Sequence, residues 1–256
     1  MSVSDFRDRL SNKCRRVLAS RTGRRDHRLT NGTPYISFTF DDFPGSAFTT
    51  GGRVLEKHGV LGTYYVSMEM LGRETEVGRI VSQSELREVV REGHEVGCHT
   101  FGHLDGAKVS PEAFESSICA NQRAYGEIFP GEEFRAFAYP FDGPTARVKR
   151  RVRNRFVTCR GGGQTYNENT IDLALLNAYF LDRRNDCDLA AIAAIIERNN
   201  AARGWLIFAT HDVSAAPSPY GCRPEFFDRV VADSVRSGAR VLPVTRVCEE
   251  LDIVSR

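Results

Sequence analysis

Tyr35-Ile36-Ser37-Phe38-Thr39-Phe40-Asp41-Asp42 is the stretch that decides how this chain reads. Residues 35–43 form a β-rich run that ends in a turn, and two consecutive carboxylates stand where the apolar part stops. Adjacent residues at a strand end point in different directions, so one aspartate can hold a metal ion while the other stays free as a base. Outward from this run, short β-rich segments alternate with helical patterns. Gly62–Met68 and His94–His99 read as the next two strands. Ser82 and Glu85 form a capping box before a helix with Leu86, Val89 and Val90 on one face. Ser110-Pro111 opens a longer helix in which Phe114, Ile118, Tyr125 and Ile128 recur at helical spacing. Phe134–Tyr139, then the weaker Phe156–Cys159 and Ala174–Leu181, continue the strands. Trp205–Thr210 runs straight into His211-Asp212, and Arg240–Val244 closes the series. Repeated strand–helix alternation implies an α/β fold with a parallel sheet. About seven such units suit a barrel better than a small open sheet, and α/β barrels gather their chemistry at the strand C-termini.

The strand ends carry the chemistry. His99-Thr100-Phe101-Gly102-His103 follows the third strand and supplies two imidazoles, to be read with Asp41-Asp42 at the end of the first. Two histidines and one carboxylate suit a first-row divalent ion and leave positions for water and substrate. Such an ion lowers the pKa of water from 15.7 toward about 7, within reach of a neighbouring carboxylate. His94 lies inward of the motif and is expected to be a hydrogen-bonded core residue. Gly161-Gly162-Gly163 precedes Gln164-Thr165, without the Lys-Ser/Thr of a phosphate loop.

These residues resemble the polysaccharide deacetylases of the NodB-homology family (carbohydrate esterase family 4), over about Tyr35 to Val244. Thr39-Phe40-Asp41-Asp42 is similar to the family's first motif and His99-Thr100-Phe101-Gly102-His103 to its second. Phe137-Ala138-Tyr139-Pro140-Phe141 resembles the third, and Leu206-Ile207-Phe208-Ala209-Thr210-His211-Asp212 the fifth. The resemblance implies a distorted (β/α) barrel of NodB type in which Asp42, His99 and His103 bind one divalent transition-metal ion, zinc first, with cobalt, nickel, manganese or iron as alternatives. It further implies Asp41 as general base, His211 as general acid, and the backbone N–H near Phe141, with Tyr139, at the substrate and oxyanion. The chain departs from the pattern at three places. Ala138 stands where the third motif carries an arginine that orients the base, and Arg135 is an arginine three residues away. The fourth motif is reduced to Asp182-Arg183-Arg184-Asn185 without a tryptophan, leaving Asp182 as the candidate to orient His211. Ala209 replaces the leucine beside the acyl pocket. The function implied is hydrolysis of N-acetyl groups from an N-acetylated sugar, oligosaccharide or polysaccharide. The alternatives are hydrolysis of another C–N amide, such as a ureide, cyclic amide or formamide, and a catalytically silent glycan-binding protein.

Composition sets the surroundings. The chain has 256 residues, 41% hydrophobic and 27% charged, enough to bury a core without staples. Residues 35–256 are expected to form the catalytic domain. Residues 1–34 are expected to be a basic N-terminal arm, with nine Lys/Arg against three Asp/Glu. No aromatic residue follows Phe6 within it, so nucleic acid is not an expected partner, and contact with an anionic membrane surface is a weaker alternative to a solvated arm. No apolar run matches a signal or membrane span, which makes the expected location cytoplasmic. Seven scattered cysteines with no CxxC pair argue against a disulfide framework or a thiolate zinc site. Cys98, next to His99, is expected on the opposite strand face.

Overall fold

The structure is a computed structural model that describes residues 17–30, 32–141, 143–182 and 188–253. In chain order the strands are β1 (Asp26–Arg28), β2 (Tyr35–Phe40), β3 (Thr63–Val66), β4 (Glu74–Thr75), β5 (Gly78–Arg79), β6 (Glu95–Cys98), β7 (Ala136–Ala138), β8 (Thr158–Arg160), β9 (Thr170–Asp172), β10 (Tyr179–Phe180), β11 (Trp205–Thr210) and β12 (Arg240–Val241). The helices are α1 (Arg53–Lys57), α2 (Gln83–Arg91), α3 (Pro111–Ile128), α4 (Ala146–Val152), α5 (Leu189–Ala202), α6 (Pro224–Arg236) and α7 (Val244–Glu250).

The main sheet runs β10-β11-β2-β3-β6-β7-β8 with every neighbour parallel, and β12 adds to β2. The expected barrel of about seven strands is therefore present, curled into a partial barrel. Between its ends the closure is irregular. Leu176 bridges to Arg160 of β8, and the chain then runs from there into β10. β2 and β11 are buried along their whole length, as central strands covered on both faces must be.

Strand parity sorts the side chains into two cores. Ile36, Phe38, Phe40, Val66, Cys98 and Phe208 face the surrounding helices. Tyr35, Tyr65, Ala136, Ala138, Trp205, Ile207 and Ala209 line the barrel interior. Cys98 thus lies opposite His99 as expected, and its Sγ accepts a bond from Asn121 Nδ2 at 3.2 Å. The Ser82–Glu85 capping box opens α2, and Ser110 caps α3 with Pro111 in its first turn. Before these helices, residues Ala47–Gly52 form a π-helical turn directly after the β2 loop, a geometry favoured near functional sites.

Ala19, Arg25 and β1 of the basic segment dock on the barrel. β1 pairs antiparallel with β9, Asp26 opposite Asp172. Lys149, fully buried on α4, donates to the Ala19 carbonyl at 2.7 Å and pairs with Asp172. The Arg25 guanidinium donates to the carbonyls of Arg153, Phe156 and Val157 at 2.6, 2.7 and 3.2 Å. Residues 1–16 of the expected arm, and Arg183, Arg184 and Asn185, lie outside the described residues. Among the described residues no helix is long and apolar enough to cross a membrane.

His94 behaves as the expected core residue. Its Nδ1 accepts the Gly62 N–H at 3.0 Å, and its ring meets Tyr64 edge-on at 5.3 Å. Burial pushes its pKa down to about 4. The folded state therefore resists a proton that the unfolded chain binds below about 6.5. Stability that is complete above pH 6.5 is lost progressively as pH falls toward 4, by at most about 3 kcal/mol. A His94→Asn variant, which keeps an acceptor for Gly62, should show a flatter decline of the urea midpoint over this range. Equal slopes in variant and parent would disprove the assignment.

Candidate metal and catalytic centre

β2 ends by splitting its two carboxylates. Asp41 N–H still donates to the Thr210 carbonyl at 2.9 Å, so Asp41 keeps strand geometry and its side chain faces into the barrel, 4% exposed. Asp42 and Phe43 both turn left-handed at φ 58°, and Phe43 N–H closes on the Asp41 carbonyl at 2.6 Å. That tight turn buries Phe43 against Tyr64 and lifts Asp42 to the rim. Two non-glycine residues in succession at positive φ are costly, on the order of 1–3 kcal/mol each.

The second arm descends from β6. His99 continues the ladder by donating from its N–H to the Val66 carbonyl at 3.0 Å. Its ring is buried, and Nδ1–H donates to the Ala138 carbonyl at 2.8 Å, which leaves Nε2 as the free ligand atom. Thr100 and His103 sit at φ 63° and 53°. The loop is pinned by Thr100 Oγ1, which accepts from Leu104 N–H, and by Ser117 Oγ, which accepts from Phe101 N–H. His103 Nε2 and His99 Nε2 then stand 3.0 and 3.4 Å from Asp42 Oδ1. One ligand atom from each of the three residues lies within 4.8 Å of the others. Burial alone would push the Asp42 carboxyl up, but the hydrogen bonds and charges of His103 and His99 hold it well below the usual carboxylate range. Two imidazole nitrogens and one ionised oxygen, with one imidazole fixed from behind, fit a first-row divalent ion.

Asp41 is held by a residue that sequence reasoning missed. Arg160, at the end of β8 and 1% exposed, donates through Nη2 to Asp41 Oδ1 and through Nη1 to the Gly161 carbonyl at 3.1 Å. Its guanidinium lies 4.9 Å from the Tyr65 ring centre and 5.7 Å from that of Phe180. Arg135 does not take this part. It lies on the outside and pairs with Glu249 at 2.5 Å. The signal for Arg160 was parity: had the weak strand been continued one residue past Cys159, Arg160 would have fallen on the same face as Thr158, one strand over from Ala138.

The opposite side of the centre comes from β11. His211 Nδ1 meets the Tyr220 carbonyl at 3.2 Å, and Nε2 lies 3.9 Å from Asp42 Oδ2. Asp182, expected to orient His211, is fully buried just beyond β10. The loop carrying Tyr220 is itself rigid, because Asp212 accepts from Ser218 N–H at 2.9 Å and from Ser218 Oγ at 2.5 Å. At Gly221 a Cβ would stand 2.3 Å from the Asp212 carbonyl oxygen, so only glycine fits. Phe180 stacks beside the His211 ring at 6.3 Å. Phe141 is 60% exposed at φ 57°, its ring 4.6 Å from that of His103, and among the described residues no acceptor engages its N–H. Tyr139 is not at the site. Its side chain points into the outer core, packs on Phe137 and donates to the Ala174 carbonyl at 3.3 Å. A cleft of about 520 Å³ adjoins this end, lined by Pro44, Ser46, Thr75, Arg79, Asp212 and Pro217 among others.

Fold and centre together define an α/β-barrel protein with a two-histidine, one-carboxylate site beside a separately buried aspartate. The profile of the polysaccharide deacetylase family matches residues 28–157, just over half of the chain, and the chain belongs to that family. A chitooligosaccharide deacetylase from Bradyrhizobium sp. (strain ANU 289) is 30% identical over 108 residues, 42% of this chain and 46% of the relative. The chain thus spans under half the length of that curated relative. A family 4 acetyl xylan esterase from Clostridium thermocellum, solved with a cobalt ion, superposes with a TM-score of 0.60 at 22% identity, covering 86% of this chain and 93% of the other. The chitin deacetylase of Colletotrichum lindemuthianum gives 0.56 at 15% identity, over 84% and 88%. At these identities the structural likenesses speak for the fold.

Removing a ligand should separate the roles. His99→Ala is expected to weaken zinc binding more than about 100-fold, beyond the range seen for outer-shell changes. Asp41→Asn should bind zinc within a few-fold of the parent. Elemental analysis after dialysis measures both, and full metal occupancy in His99→Ala would remove it from the ligand set.

Proposed function

We propose that the chain is a metal-dependent hydrolase that removes N-acetyl groups from an N-acetylated oligosaccharide or polysaccharide, with zinc as the ion held by Asp42, His99 and His103. The observation that carries this reading is the flanking of one ligand set by two different proton carriers. Asp41 is buried on the barrel side, and His211 lies on the other, 3.9 Å from Asp42. A divalent ion bound there supplies Lewis acidity, which makes water nucleophilic near neutral pH and polarises the acyl carbonyl.

The chain's own residues do the rest. Asp41 takes a proton from the attacking water. Arg160, paired to it, supplies the counter-charge that a buried carboxylate needs. The Phe141 N–H donates to the oxyanion that develops on the acyl oxygen, a contribution often worth a few kcal/mol. His211, acting as the imidazolium with a proton on each ring nitrogen, gives its Nε2 proton to the departing amine nitrogen, which leaves poorly unless protonated, and is left as the neutral ring protonated at Nδ1. Its Nδ1–H bond to Tyr220 keeps Nε2 turned inward. The exposed Phe141 ring and the neighbouring cleft offer an apolar face and hydroxyl groups to a sugar chain.

Acetate release from zinc-loaded protein, measured over N-acetylglucosamine oligomers and a panel of formamides and cyclic amides, tests the reading. Acetate should appear from the oligomers, and more readily from longer ones. Asp41→Asn should abolish turnover, and His211→Ala should lower kcat by about 10²–10⁴. Release of ammonia or formate from the panel, with no acetate from any oligomer, would replace the N-acetyl substrate with another amide. Near-parent kcat in His211→Ala would remove the histidine as acid.

A further inference from the structure

We propose that Arg160 is the positioning residue for Asp41, and that this role has been transferred sideways from the β7 position now held by Ala138. The inference rests on Asp41 being the base. It goes beyond that reading in naming what aims the carboxylate and in making two strand positions interchangeable.

Ala138 and Arg160 are direct partners in the parallel ladder between β7 and β8. Parity turns both into the barrel, as it does Ala136 and Thr158. A guanidinium anchored at either position starts from the same level and the same face, one strand spacing apart, about 4.8 Å. The cavity is built for a single one. Ala138 is fully buried and brings only a methyl group, while at Gly97, on the strand beyond it, a Cβ would stand 2.5 Å from the Tyr65 ring. That ring is therefore free to lie under Arg160, with Phe180 flanking the guanidinium from β10. Nη1 is fixed by the Gly161 carbonyl, so the planar fork cannot swing. Nη2 claims Asp41 Oδ1, which leaves Oδ2 as the oxygen that takes the proton. The arrangement holds the base still without touching substrate.

The roles of charge, shape and position can be separated with four variants. In Arg160→Ala, kcat on the best substrate should fall about 100-fold or more, the scale of a misplaced reacting group, while KM and zinc content change less than about threefold. Arg160→Lys keeps the charge without the fork and should recover only part of the loss. Ala138→Arg alone overfills the barrel and should lose both stability and activity. The double variant Ala138→Arg/Arg160→Ala conserves volume and charge and should regain at least about tenfold over Arg160→Ala. Parent-like kcat in folded, zinc-loaded Arg160→Ala would overturn the proposal. So would a folded double variant no better than Arg160→Ala. Crystal structures give a readout independent of any substrate. The Asp41 carboxylate should leave its rotamer in Arg160→Ala and return to it in the double variant. If it stays in place without Arg160 the proposal fails, whatever the acetate assay shows. If the structures behave as expected but no acetate is released, the deacetylase reading fails alone.

Discussion

The upper half of the barrel is organised by one buried ion pair, Asp41 with Arg160. Taking either charge out of water costs several kcal/mol, and removing one partner of such a pair costs about 3–5 kcal/mol. The surroundings of the pair follow from that demand. Gly97 and Ala138 are small because a guanidinium and the Tyr65 ring need the room. The β8 strand ends on Arg160, where its side chain reaches the layer of Asp41. The Ala138 carbonyl, on the strand between, turns the other way in function and holds the back of His99. One interior layer thus fixes the aspartate directly and the His99 ring through the backbone.

Strain is gathered at the same end. Asp42, Phe43, Thr100, His103 and Phe141 all have left-handed backbones. These turns come in the loops that leave the strands, and Asp42, His103 and Phe141 stand at the site while Phe43 and Thr100 hold the loops in place. The cost is tolerated because neighbouring groups over-determine each conformation: Phe43 by its burial on Tyr64, and the His99–His103 loop by Thr100 Oγ1 and Ser117 Oγ. The site is stiff before any ligand arrives, as a centre that must aim several groups at once requires.

Strand ends were the legible part of the sequence. β-rich runs stopping at Asp41-Asp42, His99 and His211 located the centre, because apolar runs have clear ends and polar residues beyond them have few structural uses. Arg160 was hidden for a physical reason. Thr158-Cys159-Arg160 has no apolar alternation, and among 35 Lys/Arg an arginine before three glycines resembles a loop residue. Its meaning depends on a neighbour in space, Ala138, that no local pattern reveals. Tyr139 misled in the opposite way. It belongs to a site motif by position, but alternation puts its ring on the outer face with Phe137, and motif membership says nothing about which face a side chain takes. The antiparallel pairing of β1 with β9 was illegible because partners 146 residues apart, Asp26 and Asp172, carry no local signal for one another.

The neighbours of β2 also set a timetable for synthesis. Its register partners are in β3, soon after it, and in β11 and β12, where Tyr35 lies opposite Trp205 and Arg240. As the chain leaves the ribosome, the run that ends in Asp41-Asp42 waits with one edge bare while some 165 further residues are made, and an unpaired apolar edge of that kind invites association. His211 cannot approach Asp42 until β11 has slotted in beside β2. The long sequence separation makes that pairing a slow, late event. The centre is therefore completed only when β11 emerges, and a chain that stops short of it would carry Asp42, His99 and His103 without the histidine that faces them.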